Sequence, residues 1–402
     1  MQLYNNNNLV YNVHMGYEIY LKKGEERRIL NGHPWVYANE VAKIVGKDKN
    51  GSLATVYAFD GTYVGKGFIN HASKILVRIL IRDDRTDTDG LFYERIHAAN
   101  EYRKQLGYDN CYRAVFAEAD NVPALIVDKY GDYLSVQILS LGMYLRRKEI
   151  VDALVREFSP KGIYERSDVA VRKKEGLPEE TGTLYGEIPE WIQIVENGIK
   201  MEVDVRNGQK TGYFLDQKEN RLALRRYASG EVLDCFCNSG GFSLNAATKA
   251  QHVVAVDASE LALDNVRRNA DLNGFNNVQT VCADVFDLLR AYRKESKTFD
   301  CVVLDPPAFC KTASESNDAI KGYLDINTLG IKLVKNGGYL VSCSCSHYVS
   351  TAAFEKMLSD AARRSGRRVQ CVEIRSQAPD HPTLLSAEET HYLKCFVLRV
   401  TD

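Results

Sequence analysis

Four aspartates and a cysteine in the second half of this 402-residue chain each follow a short apolar run, and their order is where chemistry is most legible. Asp234 closes Glu231-Val232-Leu233 and leads into a turn holding Phe236, Asn238, Ser239, Gly240, Gly241 and Phe242. Glycines there let a ligand approach the backbone, and a helix following them presents amides and a positive dipole end to an anion. Asp257, followed by Ala258, ends Val253-Val254-Ala255-Val256 at roughly the spacing at which a carboxylate meets a ribose in a nucleotide-binding fold. Asp284, with Val285 after it, follows a third run, and Cys301-Val302-Val303-Leu304 delivers Asp305-Pro306-Pro307. A fifth run ends near the thiol of Cys345. The stretch Asn238-Ser239-Gly240-Gly241 lacks G-x-G-x-x-G, which argues against a nicotinamide cofactor.

These residues need a frame that sets strand ends side by side. Strand, helix and acidic strand end repeat from Glu231 to Leu340, which predicts an α/β unit with a parallel sheet and helices on both faces. The length implies two or three domains, and a formal net charge of −1 argues against a nonspecific polyanion binder without excluding a local basic face. Ten cysteines, no secretory signal peptide and no bilayer-length apolar run predict a cytoplasmic protein without disulfides or a membrane partner. Cys235/Cys237 and Cys343/Cys345 have no C-x-x-C partner and no paired histidines, so no metal is expected.

The glycine-bearing turn, the acid of the second strand and the Asp-Pro-Pro of the fourth resemble class I S-adenosylmethionine-dependent methyltransferases, in this order. The resemblance implies a Rossmann-like, seven-stranded mixed sheet and S-adenosylmethionine as cofactor. Asp234 would then sit near the cofactor's ammonium, Asp257 would accept from both ribose hydroxyls and Asp284 from the adenine amino group. The segment Lys210 to Arg221 is similar to the family's G-x-F-x-D-Q-R-x-N, which closes over the cofactor and brings in Phe214 and Gln217, with Lys218 where arginine is common. Asp305-Pro306-Pro307-Ala308-Phe309 resembles the motif of enzymes that methylate nucleic-acid bases, with Pro306, Pro307, Phe309 and Lys311 toward the RNA. Ser344-Cys345-Ser346 matches the motif carrying the nucleophile of RNA 5-methylcytosine methyltransferases, which makes Cys345 and Asp305 the catalytic pair. Ala308 stands where a two-cysteine enzyme has its second cysteine, so Cys310 is expected to be incidental and Cys343 a buried strand residue. An ordinary thiol has a pKa of about 8.5, so Cys345 needs help to ionise, for which the cofactor's sulfonium and Lys311 are candidates.

Upstream, residues 1–14 carry an asparagine run without apolar period and read as a disordered tail, with Met15 a candidate start. Residues 15–88 show short alternating strands, and Arg27 to Tyr37 resembles the opening of a PUA domain. Arg28 and His33 are its candidate RNA contacts, while Trp35 and Val36 are expected in the barrel core. Residues 89–205 read as a central α+β domain, with helices over Leu91 to Leu106 and Arg146 to Phe158, and residues 206–402 as the methyltransferase domain. The central run Pro123 to Gly131 is similar to that of ribosomal-RNA cytosine methyltransferases with an N-terminal PUA domain. Large-subunit ribosomal RNA is therefore the implied partner, and a homodimer is possible. Two alternatives stay open: amino-group methylation of a purine, which needs no thiol, and a non-catalytic RNA-binding assembly factor.

Overall fold

The computed structural model describes residues 16–47, 49–83, 85, 87–310 and 312–402. The expected tail, the candidate start at Met15 and Lys311 lie outside them. The N-terminal unit is a curled six-stranded sheet in the spatial order Trp35–Tyr37, Ile75–Ile81, Tyr63–Ile69, Leu53–Tyr57, Tyr17–Leu21, Val41–Val45. Alternation sends Ile19, Leu21, Ala54 and Val56 into one core and leaves Tyr20, Thr55 and Tyr57 half-buried on the other face. Val36 is in that core as expected. Trp35 is not, because its indole N–H reaches Glu118 of the next unit at 2.9 Å.

The central unit is a five-stranded sheet, ordered Glu180–Gly186, Gly162–Ser167, Tyr133–Ile138, Leu125–Tyr130, Cys111–Phe116. Helices Leu91–Gln105 and Arg147–Phe158 pack into the same apolar core as its strands. It meets the N-terminal sheet through buried charge: Arg78 donates to Glu118 at 3.1 Å and to Glu175 at 3.0 Å, and Asn70 and Ser73 also bond Glu175.

The C-terminal unit carries seven strands: β1 (Glu231–Cys235), β2 (His252–Asp257), β3 (Val278–Cys282), β4 (Phe299–Leu304), β5 (Val334–Ser344), β6 (Arg368–Arg375) and β7 (Lys394–Thr401). Their order is β3-β2-β1-β4-β5-β7-β6, parallel except for β7, which pairs antiparallel with β5 and β6. Val232, Leu233, Cys301, Val302 and Val303 are fully buried, as continuous apolar runs covered on both faces must be. The chain turns one way from β1 to β2 and the other way to place β4, so a crevice opens at the carboxyl ends of β1 and β4.

A hairpin, Ile192–Glu196 with Ile199–Val203, joins the central and C-terminal units. Its apolar side shares one core with Cys111 and Tyr130 behind it and Tyr213, Leu215, Leu244 and Ala270 ahead of it. The expected boundary near residue 205 thus falls beside a core that both units share. At the hairpin's turn, buried Glu196 takes two hydrogen bonds from Arg221, at 2.6 and 2.7 Å, and one from the Tyr213 hydroxyl at 3.1 Å. Replacing Glu196 by Ala leaves the Arg221 guanidinium buried without its countercharge. Chemical denaturation should show a loss of about 3–5 kcal/mol, whereas a loss no larger than that of an exposed pair would mean Arg221 finds another partner.

Candidate active site

The turn after β1 is held in a rare backbone conformation: Phe236, Asn238 and Gly240 have φ of 63°, 48° and 87°. Two of the three are not glycine, and such strain concentrates at ligand sites. Gly240 supplies the left-handed residue before helix α1 (Gly241–Ala247). Gly241 has a different reason, since a Cβ there would lie 2.7 Å from the Tyr213 hydroxyl and 2.8 Å from Arg221 Cδ. Its bareness lets the Glu196–Arg221–Tyr213 cluster press against the start of α1. Phe242 is buried in the core beneath the turn, and Val285 in the core across the sheet, so both support the crevice from behind.

Three acids stand where the sequence puts them, each with a different electrostatic character. Asp234 is buried, and one oxygen accepts from the Ser243 hydroxyl at 2.5 Å while the other has no partner. Burial pushes its carboxyl up to about 7, against the pull of Ser243. A buried carboxylate oxygen with no donor fits an incoming ammonium, and the partnerless hydroxyl of Ser239 is a second open position on the same turn. Asp257 accepts from the backbone N–H groups of Asn238 and Ser259, both at 3.0 Å, which leaves one lone pair on each oxygen for a diol. Ala258 is exposed beside it. Asp284 is exposed and caps helix α2 (Val285–Lys294), accepting from Asp287 N–H at 3.1 Å. Its structural duty as a cap coexists with a free oxygen at the crevice rim.

On the far side of the crevice Asp305 accepts from the Gln217 amide at 2.9 Å, and Asn220 holds that amide's oxygen at 2.7 Å. Burial, reinforced by Asp216, pushes the Asp305 carboxyl up to about 7, which brings its protonated form within reach near neutral pH. The Cys345 thiol lies 4.0 Å from the Pro306 carbonyl oxygen, which puts the end of β5 against the Asp-Pro-Pro loop. Burial pushes this thiol up to about 11; Lys210 and Lys394 pull it down, and Asp305 and Asp216 push it further up. Four further members of this group, Lys210, Asp216, Tyr392 and Lys394, carry no assigned role in the sequence reading. Asp216 accepts from Lys210 at 3.2 Å and from the Tyr392 hydroxyl at 2.6 Å, and Lys394 is buried at the start of β7. Asp216 was visible inside the Lys210 to Arg221 motif, whereas a lysine opening a C-terminal strand carries no signal of burial.

The remaining candidates separate by what their side chains already hold. Pro307 is exposed at the loop's outer edge and Pro306 is buried under it. Phe309 packs against Tyr323 and Phe286, with ring centroids 4.7 and 6.0 Å away, and a Cβ on Gly322 would crowd it. That makes it a prop for the loop more than a stacking platform. Phe214 is half-buried, with the Lys210 ammonium 4.5 Å from its ring centre. Arg28 is engaged by Glu40 at 2.6 Å, the Trp35 carbonyl at 3.0 Å and the His33 ring at 2.5 Å. His33 is itself buried, so this pair secures the N-terminal sheet rather than offering a free edge to phosphate. Cys310 is buried with its thiol directed at the Thr312 carbonyl, and Cys343 is buried opposite Cys395 on β7.

Sheet order, the strained turn and the acids at successive strand ends define a class I S-adenosylmethionine-dependent methyltransferase preceded by a PUA-like module. Residues 170–399 match the S-adenosylmethionine-dependent methyltransferase family and residues 19–82 the PUA-like domain family. The ribosomal RNA large subunit methyltransferase I of Aeromonas salmonicida is 43% identical over 391 residues, covering 95% of this chain and 98% of that one. The protein of the same name from Shewanella amazonensis is 44% identical over 395 residues, covering 96% and 100%. The chain belongs to the ribosomal RNA large subunit methyltransferase I family. A candidate S-adenosylmethionine-dependent methyltransferase of Streptococcus mutans shares the fold, with a TM-score of 0.81 at 22% identity over 95% of this chain and 99% of that one. Among the described residues, no helix is long and apolar enough to cross a membrane.

Because burial raises Asp234 to about 7, binding of a cationic ammonium beside it would expel a proton. Titration with S-adenosylhomocysteine at pH 6.5, in buffers of different ionisation heat, should reveal proton release that shrinks toward pH 8 and in Asp234→Asn. Affinity should rise with pH through 7. Proton linkage unchanged in a folded Asp234→Asn would remove Asp234 from the ammonium site.

Proposed function

We propose that this enzyme methylates carbon 5 of a cytosine in large-subunit ribosomal RNA, in the cytoplasm, through a covalent adduct on Cys345. The observation that carries the reading is the meeting of a thiol and a buried carboxyl at one crevice, Cys345 against the Pro306 carbonyl and Asp305 on Gln217. Carbon 5 of cytosine is a poor nucleophile until a thiolate adds to carbon 6, whereas amino-group methylation has no use for a thiol there. The relatives' name supplies the RNA class.

When bound, S-adenosylmethionine supplies the methyl group and a positive sulfonium. Asp234 would hold its ammonium, Asp257 its ribose hydroxyls and Asp284 its adenine amino group, with Phe214 and Gln217 closing over it. The target base leaves its stack to reach the crevice, as a base must before its ring atoms can react. Once its proton has left to solvent, Cys345 Sγ bonds to carbon 6, and the electron pair of the 5,6 double bond moves onto carbon 5 and is shared with ring nitrogen 3. Protonated Asp305 answers that charge by donating to ring nitrogen 3. Carbon 5 would take the methyl group, leaving S-adenosylhomocysteine, and its proton would then pass to a water molecule; the pair left behind reforms the 5,6 double bond and expels the thiolate of Cys345. Resting Cys345 is a protonated thiol, so reactivity waits for positive charge to enter the crevice.

Cys345→Ala should bind cofactor and transfer no methyl group to total RNA, while Cys310→Ser and Cys343→Ser stay active. RNA containing 5-fluorocytosine should trap wild type as a stable adduct, because fluorine does not leave as a proton does. An N-methylpurine product, or an adduct mapped to Cys310, would overturn the reading, and no transfer by wild type would favour an assembly factor.

Asp305→Asn keeps a hydrogen-bond donor at every pH, whereas wild type loses its donor as the carboxyl ionises. The wild-type to Asp305→Asn ratio of kcat/KM should therefore fall as pH rises through about 7. A ratio independent of pH would mean that Asp305 does not act as a proton-bearing donor.

A further inference from the structure

We infer that Lys394 is a positioning residue for methyl transfer: its buried ammonium is the standing countercharge for the Cys345 thiolate. The inference rests on the reading of Cys345 as nucleophile. Lys394 opens β7 directly opposite Ser344, the last residue of β5, so it stands beside the strand end that carries Cys345. Its side chain is 4% exposed. Among the described residues its ammonium has two carbonyl partners, Ser346 at 2.7 Å and Tyr392 at 2.8 Å, and no carboxylate. Carbonyls orient an ammonium without neutralising it, and a buried charge lacking a counterion is an expensive feature in any fold.

The groups that face Cys345 make the pairing specific. Lys210, Asp216, Asp305 and Lys394 all bear on its thiol, with Tyr392 and Tyr323 as neutral neighbours. Lys210 is already answered by Asp216 at 3.2 Å. Asp305 and Asp216 oppose the thiolate. Lys394 is the cation left uncompensated in the resting protein, and a negative charge on Cys345 would compensate it. Burial lowers its ammonium to about 8, and the Cys345 thiolate raises it again, which is the reciprocity expected of a pair whose charges form together. His347, whose imidazole burial lowers, also senses Lys394. By gripping the Ser346 carbonyl, the same ammonium also fixes the backbone immediately after the nucleophile.

Alkylation of Cys345 by iodoacetamide, followed peptide by peptide with mass spectrometry across pH, measures its thiolate without RNA or cofactor. Lys394→Met, an apolar near-isostere that relieves the buried charge, should slow alkylation about tenfold at pH 7, below the lysine's own loss of charge at about 8, with the difference shrinking at higher pH. Lys394→Gln, which keeps a donor for the carbonyls, should behave like Lys394→Met, whereas Lys394→Arg should keep the wild-type profile. A wild-type profile in either neutral variant would overturn the assignment. So would slowing in Lys394→Met alone, with Lys394→Gln and Lys394→Arg both at the wild-type rate, the pattern expected if only the grip on Ser346 mattered. Methyl transfer retained by Cys345→Ala would defeat the nucleophile reading instead, and leaves the alkylation shift as a separate result.

Discussion

Removal of water from the carboxyl ends of β1, β4 and β5, without a matching supply of countercharge, is the constraint on which the site depends. Asp234 and Asp305 are both held near 7 by burial, and Cys345 is held near 11. Burial therefore favours the neutral form of each group, although the proposed chemistry asks two of them to be ionic and one to lend a proton. A cationic cofactor changes the balance for all three at once. The crevice is thus tuned by the charge of what enters it, and its empty state has little tendency to attack an RNA indiscriminately.

That tuning requires a frame that does not relax. Glu196, at the tip of a hairpin shared by two units, fixes Arg221; Arg221 holds the Phe214 carbonyl at 2.7 Å and presses on Gly241. From there the short helix Lys218–Leu224 carries Asn220, which orients Gln217 on Asp305. One buried ion pair so reaches both the glycine turn and the Asp-Pro-Pro loop. Central-unit residues extend the support: Arg113 donates its backbone N–H to Asp380 at 2.9 Å and Arg103 donates to the Asp380 carbonyl at 2.6 Å, tying down the segment that leads to Tyr392 and Lys394.

What could be read from the sequence was whatever depends on period and on residues next to each other in the chain. Runs such as Cys301 to Leu304 announced buried parallel strands, and the acids following them announced the crevice. The helices at Leu91–Gln105 and Arg147–Phe158 fell within a residue of expectation. Side-chain duty across long separations was not legible. Nothing local in Arg28 shows that Glu40 occupies it, and nothing in Trp35 shows that Glu118, 83 residues away, accepts its indole N–H. Lys394 was opaque for the same reason, since its burial comes from strands that meet only in the folded sheet.

The joint between the N-terminal sheet and the central unit has a mechanical consequence. Arg78, Glu118 and Glu175 are each less than a tenth exposed and are satisfied chiefly across that joint. Swinging the sheet away would strand three charges in apolar surroundings, which is far more costly than the sliding of an ordinary wet domain contact. The span from the N-terminal sheet to Cys345 is therefore set by this buried charge together with the apolar core shared by the central and C-terminal units, rather than by a linker. The molecule is built as a fixed calliper, its two ends held at one separation.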